Sequence, residues 1–369
     1  MEINDYLEYF KDYFKNLPNF RKEKIKKYLL DNHVCPSITD KEGKIVDNSK
    51  KNVNDFVMQS ILENSNAVFL VQKFELFRNY KYSLFYYINN RNNQNIKDSI
   101  MGKQEIFFDI EKNIEKFNFF KDEKGNKIKI NKCFYFIEKN KIYIKFPIGL
   151  ERYDEIYFQT FKTKMTFLCI LDLEKNILEV RYDGLYTPFR TTQDFYLQLE
   201  NEIILFLMSY LNIELKSKKF DFIYKEIDNI KKQGFIIVRK ESEYNDQGGA
   251  KLSCNKKNML PYIDDLKELL KYKLEQFEKN TGEYEIANEI SREILQFINE
   301  KEEESNCTNI VLQINDYRTH FNYLDNENLN CIIQHEYMDT KNDEGRGDYV
   351  REVILQLENE FNKVGSSRD

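Results

Sequence analysis

Apolar residues recur at helical spacing in the first quarter of the chain. One stripe consists of Ile3, Leu7, Phe10, Phe14 and Leu17. Pro18 follows this stripe and cannot continue a helix, so the pattern predicts a first helix that ends there. The same period predicts helices at 20–30 and around 53–62, whereas the aromatic-rich stretch 66–88 fits either a strand or a buried helix. We therefore predict a helical N-terminal region over residues 1–95.

The hydrophobic period changes from helical spacing to strict alternation in the middle of the chain. Two segments, 133–146 and 165–183, each alternate on both sides of a polar dipeptide, which predicts two hairpins with turns at Lys139-Asn140 and Lys175-Asn176. The apolar run 195–211 then predicts a largely buried helix. Residues 96–215 are interpreted as an antiparallel sheet domain with a following helix.

Strand and helix patterns alternate in the last part of the chain. Apolar strands are predicted at 234–238, 309–314 and 331–338, and helices at 261–277, at 283–298 and after Asp348. The order favours an α/β C-terminal domain over residues 216–369. The predicted fold class is α+β, with a helical N-terminal region, a central antiparallel sheet of two hairpins and a C-terminal α/β layer.

Composition and charge narrow the class of protein. The 369 residues are 41% hydrophobic, which is enough for packed cores, and carry a net charge of −6. From Glu283 to Asp369 there are 20 acidic and 8 basic residues, a net charge of −12, so the remainder of the chain is mildly basic. This asymmetry indicates different partners for the two parts.

The expected compartment is the cytoplasm. Six scattered cysteines without a Cys-x-x-Cys pair indicate free thiols, and the polar, acidic start of the chain does not resemble a signal peptide. The apolar runs are too short for a membrane span. The abundance of Lys, Asn, Ile, Phe and Tyr indicates AT-rich coding and, as a hypothesis, a bacterial source.

The first hairpin has a second face on which aromatic rings and lysines mix. Its members are Phe134, Phe136, Lys141, Tyr143 and Lys145. Aromatic rings interleaved with lysines suit base stacking and phosphate attraction, so this face is a candidate for binding single-stranded nucleic acid. The alternative is a second packed layer that covers the rings.

The second hairpin places acidic residues on adjacent strands. With the turn at Lys175-Asn176, Asp172 would lie opposite Glu179, and two close carboxylates can hold Mg²⁺ or Mn²⁺ for phosphodiester cleavage. Glu179 and Arg181 are similar to the Glu-x-Lys element of restriction nucleases, with Arg181 in place of the lysine, so no family is assigned. The alternative is the polar outer face of a half-exposed hairpin.

Two further constellations lie in the acidic part. Gly345, Arg346 and Gly347 form a predicted turn before a helix capped by Asp348, where an anion or an acidic partner could bind. Asp316, Arg318 and His320 alternate on one predicted strand, and His335 and Glu336 lie on the next, which predicts a weak Asp/His/Glu cation site.

The sequence thus favours a cytoplasmic bacterial binding or sensing subunit that acts with nucleic acid or a protein partner. A role in anti-phage defence is a hypothesis from the inferred source and not from any residue. The alternative is a divergent metal-dependent nuclease that uses Asp172 and Glu179. No cofactor is expected unless that alternative holds, and no membrane is expected as a partner.

Overall fold

The computed structural model describes most residues of the chain. They are residues 3–36, 52–89, 93–110, 120–121, 133–154, 158–185, 189, 193–244, 250–255, 269–273, 284–304, 306–315, 317–323, 331–336 and 346–365. The chain divides into two compact units, which we call unit 1 (Met1–Ser217 with Asn342–Arg346) and unit 2 (Lys218–Lys341 with Gly347–Asp369). The predicted α+β class is confirmed. The domain limits predicted at residues 95 and 215 stay predictions.

Helices form the N-terminal part of unit 1, as predicted. They are α1 (Ile3–Lys15), α2 (Asn19–Asp31), α3 (Val53–Glu63), α4 (Ser65–Phe77), α5 (Asn93–Gly102) and, later in the chain, α6 (Gln193–Leu211). Asn52 and Asn64 precede α3 and α4, and each side chain accepts a hydrogen bond from the backbone N–H two residues on. The ambiguous stretch 66–88 therefore contains both structures, because α4 occupies its first half and a strand its second.

The strands of unit 1 form one mixed sheet. They are β1 (Tyr82–Asn89), β2 (Phe107–Asp109), β3 (Phe120–Lys121), β4 (Cys133–Glu138), β5 (Lys141–Asp154), β6 (Gln159–Asp172), β7 (Ile177–Tyr182) and β8 (Glu214–Ser217). The order is β1-β7-β6-β5-β4-β2, with β8 beside β1 and β3 beside β5. The pairs β2–β4 and β3–β5 are parallel, and the other pairs within this sheet are antiparallel.

The first predicted hairpin is confirmed and the register of the second is corrected. Strands β4 and β5 meet across Lys139-Asn140, as predicted. The loop between β6 and β7 contains four residues and not two, so Asp172 pairs with Ile177 and Glu179 pairs with Ile170. The physical reason is the Asp172 carboxylate, which accepts a hydrogen bond of 3.1 Å from the backbone N–H of Lys175 and so stabilises the wider turn.

The sheet is covered on both faces, which we call the α6 face and the α4 face. On the α6 face, Phe206 packs edge-on against Phe146, with ring centroids 5.5 Å apart. On the α4 face, Phe77 packs against Tyr143 at 5.4 Å and against Phe136 at 5.9 Å. Burial on both faces explains why the central strands β6 and β7 consist largely of buried residues.

A row of stacked rings crosses the α6 face near one end of β7. Tyr182 stacks on its cross-strand neighbours Tyr82 and Phe167, with centroids 5.3 Å and 4.9 Å away. Tyr196 of α6 stacks on Tyr182 at 5.5 Å and accepts a hydrogen bond from the backbone N–H of Leu185. These contacts join α6 to the sheet through cross-strand aromatic pairs.

Unit 2 combines a second set of strands with helices. Its elements are α7 (Phe222–Lys225), α8 (Ile227–Lys232), β9 (Ile236–Tyr244), β10 (Ala250–Asn255), α9 (Tyr284–Glu304), β11 (Asn306–Ile314), β12 (Tyr317–Tyr323), β13 (Cys331–His335) and α10 (Arg346–Gly365). The strand order is β10-β9-β11-β12-β13, and all four pairs are antiparallel. In α10, Val350, Ile354 and Leu357 recur at helical spacing and are buried. Lys218, which precedes α7 in the chain, forms an ion pair with Glu358 of α10.

Glu200 is a carboxyl on the buried side of α6. It is 3% exposed and lies one helical turn before Ile203 and Ile204, which are also buried. Burial raises its pKa to about 8. Because this value lies above that of an exposed glutamate, the stability linked to the protonated form is complete at low pH and is lost as the pH rises towards 8.

We expect Glu200→Gln to remove this pH dependence, because glutamine keeps the shape of a neutral glutamic acid. At pH 8 the variant should exceed the native chain in stability by roughly 1 kcal/mol or more, with little difference at pH 5. Urea unfolding at both pH values measures this, with Glu202→Gln on a more exposed side of α6 as the control. Equal differences at pH 5 and pH 8 would contradict the assignment.

Candidate functional site

The densest group of buried charges in the described part of unit 1 lies between α4 and the sheet. Glu75 of α4 binds Lys145 of β5 and Lys164 of β6, each at 2.5 Å from one carboxylate oxygen. The Lys145 ammonium also donates to the Gln72 side chain. All three charged side chains are buried. We call Gln72, Glu75, Lys145 and Lys164 the buried ionic cluster.

Local structure explains how these side chains meet. Lys145 pairs with Leu168 across the β5–β6 ladder, and Lys164 lies four residues earlier on β6, so both lysines project from the α4 face. Gln72 and Glu75 are three residues apart in α4 and share one side of that helix. The Lys164 ammonium lies 5.4 Å from the Phe10 ring centroid and 5.0 Å from that of Tyr13.

The cluster changes the acidity of its members. Burial lowers the pKa of Lys145 to about 7, although the Glu75 charge opposes this shift. Burial also lowers the pKa of Lys164. Burial would raise the pKa of Glu75, but the charges of Lys145 and Lys164 outweigh it and bring that pKa to about 2. A lysine that titrates near neutrality suits nucleophilic chemistry, but Lys145 is completely buried, so the contacts support a structural clamp between α4 and the sheet.

A second ionic group connects α2 and α4 to the end of β7. Asp183 accepts hydrogen bonds from Arg21 at 3.0 Å, from Arg78 and from the backbone N–H of Lys81 at 3.0 Å. Burial would raise the pKa of Asp183, but the two arginines hold it well below its usual range. The predicted polar face of the second hairpin is therefore occupied by helices at this end.

The face proposed for nucleic acid is covered by α4, so its accessibility must be corrected. Phe134, Tyr143 and Lys145 are buried, whereas Phe136 and Lys141 are partly exposed. Phe77 packs on two of the rings, and the Lys73 ammonium lies 5.2 Å from the centroid of Phe136. Side chains of α4 therefore pack on the rings of Phe136 and Tyr143, as a second packed layer would.

The residues of the nuclease alternative lie on one face without forming the predicted pair. Glu179 accepts two hydrogen bonds from Arg181, at 2.7 and 2.8 Å, and both side chains are buried. Asp172 is buried and caps the turn before β7. In the register observed, Asp172 and Glu179 are diagonal and not opposite neighbours. Within the described residues, no group of three or more His, Cys, Asp or Glu side chains is placed to hold a metal ion.

The remaining predicted sites differ in outcome. His320 and Glu336 do meet, with Nε2 and Oε1 2.7 Å apart, and Arg318 lies 3.8 Å from the same carboxylate. His335 neighbours Gln334, the partner of His320, and therefore projects from the opposite face. Asp316 of the predicted cation site and Gly345 lie outside the described residues. Arg346 and Gly347 already belong to α10. The predicted turn with Asp348 as its N-cap is therefore wrong, because Asp348 lies within the first helical turn.

Helix α9 of unit 2 exposes apolar side chains that sequence reasoning did not single out. Ile290 is 51% exposed, Ile294 is 36% exposed and Phe297 is 59% exposed. We call these three residues the α9 stripe. A different side of the helix is buried, at Ser291 and Ile298. The signal was present in the sequence, because Ile290, Ile294 and Phe297 lie at i, i+4 and i+7, and the apolar residues Leu295 and Ile298 follow the last two by one position.

Comparisons with known proteins assign the chain to no group. It matches no protein-family model, and no match was found among curated proteins. Among the described helices, none is both long enough and apolar enough to cross a membrane. In the part of the chain that the structure describes, Cys35, Cys133, Cys169, Cys307 and Cys331 are free thiols. Function therefore has to be argued from the surfaces and clusters described above.

We expect Glu75→Gln to destabilise unit 1 strongly, because two buried lysines lose their carboxylate. Breaking such a buried group costs roughly 3–5 kcal/mol. Urea unfolding measures the loss in the free energy of unfolding. In the native chain, stability should likewise fall as the pH decreases from about 4.5 towards 2, because Glu75 takes up a proton in this range. The triple variant Glu75→Leu, Lys145→Met, Lys164→Met should recover much of the stability, because no charge is left buried. A triple variant no more stable than Glu75→Gln would contradict the electrostatic explanation.

We expect Glu179→Gln to lower the stability of unit 1, because Arg181 would stay buried without the carboxylate that compensates its charge. The expected loss is on the order of 3 kcal/mol, with Glu174→Gln in the exposed loop before β7 as a neutral control. The same variant tests the nuclease alternative by thermal unfolding with Mg²⁺ or Mn²⁺, since an ion bound only by the folded chain raises the melting temperature. A rise in the native chain that disappears in Glu179→Gln would instead identify a cation site.

Proposed function

We propose that this chain is a binding subunit that acts through a protein partner, and that the partner docks on the α9 stripe. The observation that carries the proposal is the exposure of Ile290 and Ile294, one helical turn apart, beside Phe297. Apolar side chains arranged in a row along one helix side form a contiguous patch, and such patches mark interaction sites in folded proteins. Single exposed apolar residues, by contrast, are ordinary.

The negative charge around the α9 stripe favours a protein over a nucleic acid as the partner. The helix carries seven acidic and two basic residues, and it lies in the part of the chain where the net charge is −12. Phosphate groups are repelled by such a surface, whereas affinity for nucleic acid depends on lysine and arginine. The basic and aromatic face that suggested nucleic acid lies beneath α4. A protein partner with an apolar contact surface is the occupant that fits.

The energetic argument rests on the centre of the α9 stripe. Burying an isoleucine side chain that is half exposed removes apolar surface from water and stabilises a complex by about 1 kcal/mol or more. Two such residues and an aromatic ring within two helical turns match the size of a binding hot spot, which usually consists of a few central side chains. The polar residues around them would then form the rim of the interface.

We expect a photo-crosslinking residue at position 290 to capture a defined partner in cells, whereas the same residue at Arg292 should not. Arg292 is exposed on another side of α9 and is therefore a control within the same helix. The adduct should disappear in Ile294→Ser. With the partner purified, Ile290→Ser and Ile294→Ser should each weaken binding by about tenfold.

A matched substitution tests whether the loss of any exposed apolar side chain would weaken partner binding. Leu205 of α6 in unit 1 is 53% exposed, so Leu205→Ser removes a similar apolar side chain elsewhere and should leave binding unchanged. Equal capture at positions 290 and 292, or equal weakening by Leu205→Ser, would refute the α9 stripe as the docking site.

A further inference from the structure

We infer that the α9 stripe binds a basic amphipathic helix; this inference rests on the proposed function and adds the chemistry of the partner. Two features of α9 carry it. The first is the shape of the stripe, and the second is the charge of the residues along its open edge. Both involve side chains that the structure describes.

The shape of the stripe fits a helix. Ile290, Ile294 and Phe297 follow the i, i+4, i+7 spacing, so they form a straight ridge of two turns, about 10 Å long. A ridge of this length is matched by the apolar side of another helix with the same spacing, in which side chains interlock between neighbouring turns. An extended strand has a period of two and would place only some of its side chains on this ridge.

One edge of the stripe is closed and the other is open. A helix advances by about 100° per residue, which places Ser291 and Ile298 beside the stripe on the buried side. Glu289 and Glu293 lie along the opposite edge, four residues apart, and both are exposed. Arg292 lies on the far side of the helix from the stripe. A partner helix on the stripe would therefore meet carboxylates along the open edge.

Charge complementarity selects the partner. Lysine or arginine beside an apolar seam pairs with glutamate across a helix–helix contact, as at the flanking positions of coiled coils. The net charge of −12 over the last 87 residues adds longer-range attraction for a basic segment. A second copy of this chain would bring the same acidic edge to the contact, and an acidic membrane surface would be repelled in the same way.

The test uses three synthetic helical peptides with one leucine stripe and borders of lysine, glutamine or glutamate. Fluorescence anisotropy with the full chain should give affinities in the order lysine, glutamine, glutamate, with about tenfold between the extremes. The advantage of the lysine peptide should shrink as salt is added. Ile290→Ser combined with Ile294→Ser should abolish binding of all three peptides.

Charge reversal provides the decisive comparison. Glu289→Lys with Glu293→Lys should invert the order, so that the glutamate peptide binds best. The control Glu23→Lys with Asp31→Lys changes net charge equally, on exposed positions of α2, and should leave the order intact. Inversion by both double variants would show that only total charge matters and would overturn the inference.

The remaining outcomes separate this inference from the proposed function. Affinities that depend on Ile290 and Ile294 but not on the peptide border would overturn the basic helix and leave the α9 stripe as a docking site. No binding of the lysine peptide, with partner capture at position 290 retained, would also overturn only the basic helix. Loss of both peptide binding and position-specific capture would overturn the two proposals together.

Discussion

The ion pairs of Glu75 with Lys145 and Lys164 are the contacts on which the layering of unit 1 depends. Each ammonium would be costly in an apolar layer by itself, because a buried charge loses its hydration. The carboxylate of α4 compensates both lysines only when α4 lies over β5 and β6 in one register. Apolar contacts such as Phe77 with Tyr143 tolerate a small shift, whereas charged hydrogen bonds do not. The cluster therefore selects one arrangement of helix on sheet.

Sequence reasoning predicted α1 to α3, α6 and the two hairpins of unit 1, but left the layer that covers the first hairpin as an alternative. Alternation identified both hairpins, and helical spacing identified α1 to α3, because these periods depend only on local geometry. A lysine within an alternating strand predicts an exposed side chain, since lysine is rarely buried without a partner. The partner was visible in α4, where Gln72 and Glu75 interrupt an apolar run at a spacing of three. Pairing Gln72 and Glu75 with Lys145 requires knowing which helix covers which face of the sheet. The hydrophobic period of the sequence gives no information about this.

The register of the second hairpin shows a different limit. A two-residue turn at Lys175-Asn176 satisfies the apolar alternation as well as a four-residue loop does, because both keep the same residues on each face. The four-residue loop is favoured by a hydrogen bond from the backbone N–H of Lys175 to the Asp172 carboxylate. In the observed register Glu179 is diagonal to Asp172, and it forms an ion pair with Arg181, two residues later on the same strand. Residues that resembled a catalytic pair thus belong to a turn and to an ion pair.

The two candidate surfaces differ in whether their side chains are buried or exposed. In unit 1, polar side chains on an apolar face indicated a site but proved to be covered, and their charges are compensated inside the protein. In α9, by contrast, the apolar side chains of Ile290, Ile294 and Phe297 are exposed. Exposure of apolar surface lowers solubility and gives no stability to the monomer. A contact outside the monomer would give such a row a physical reason, and for that reason the proposed docking surface lies on α9.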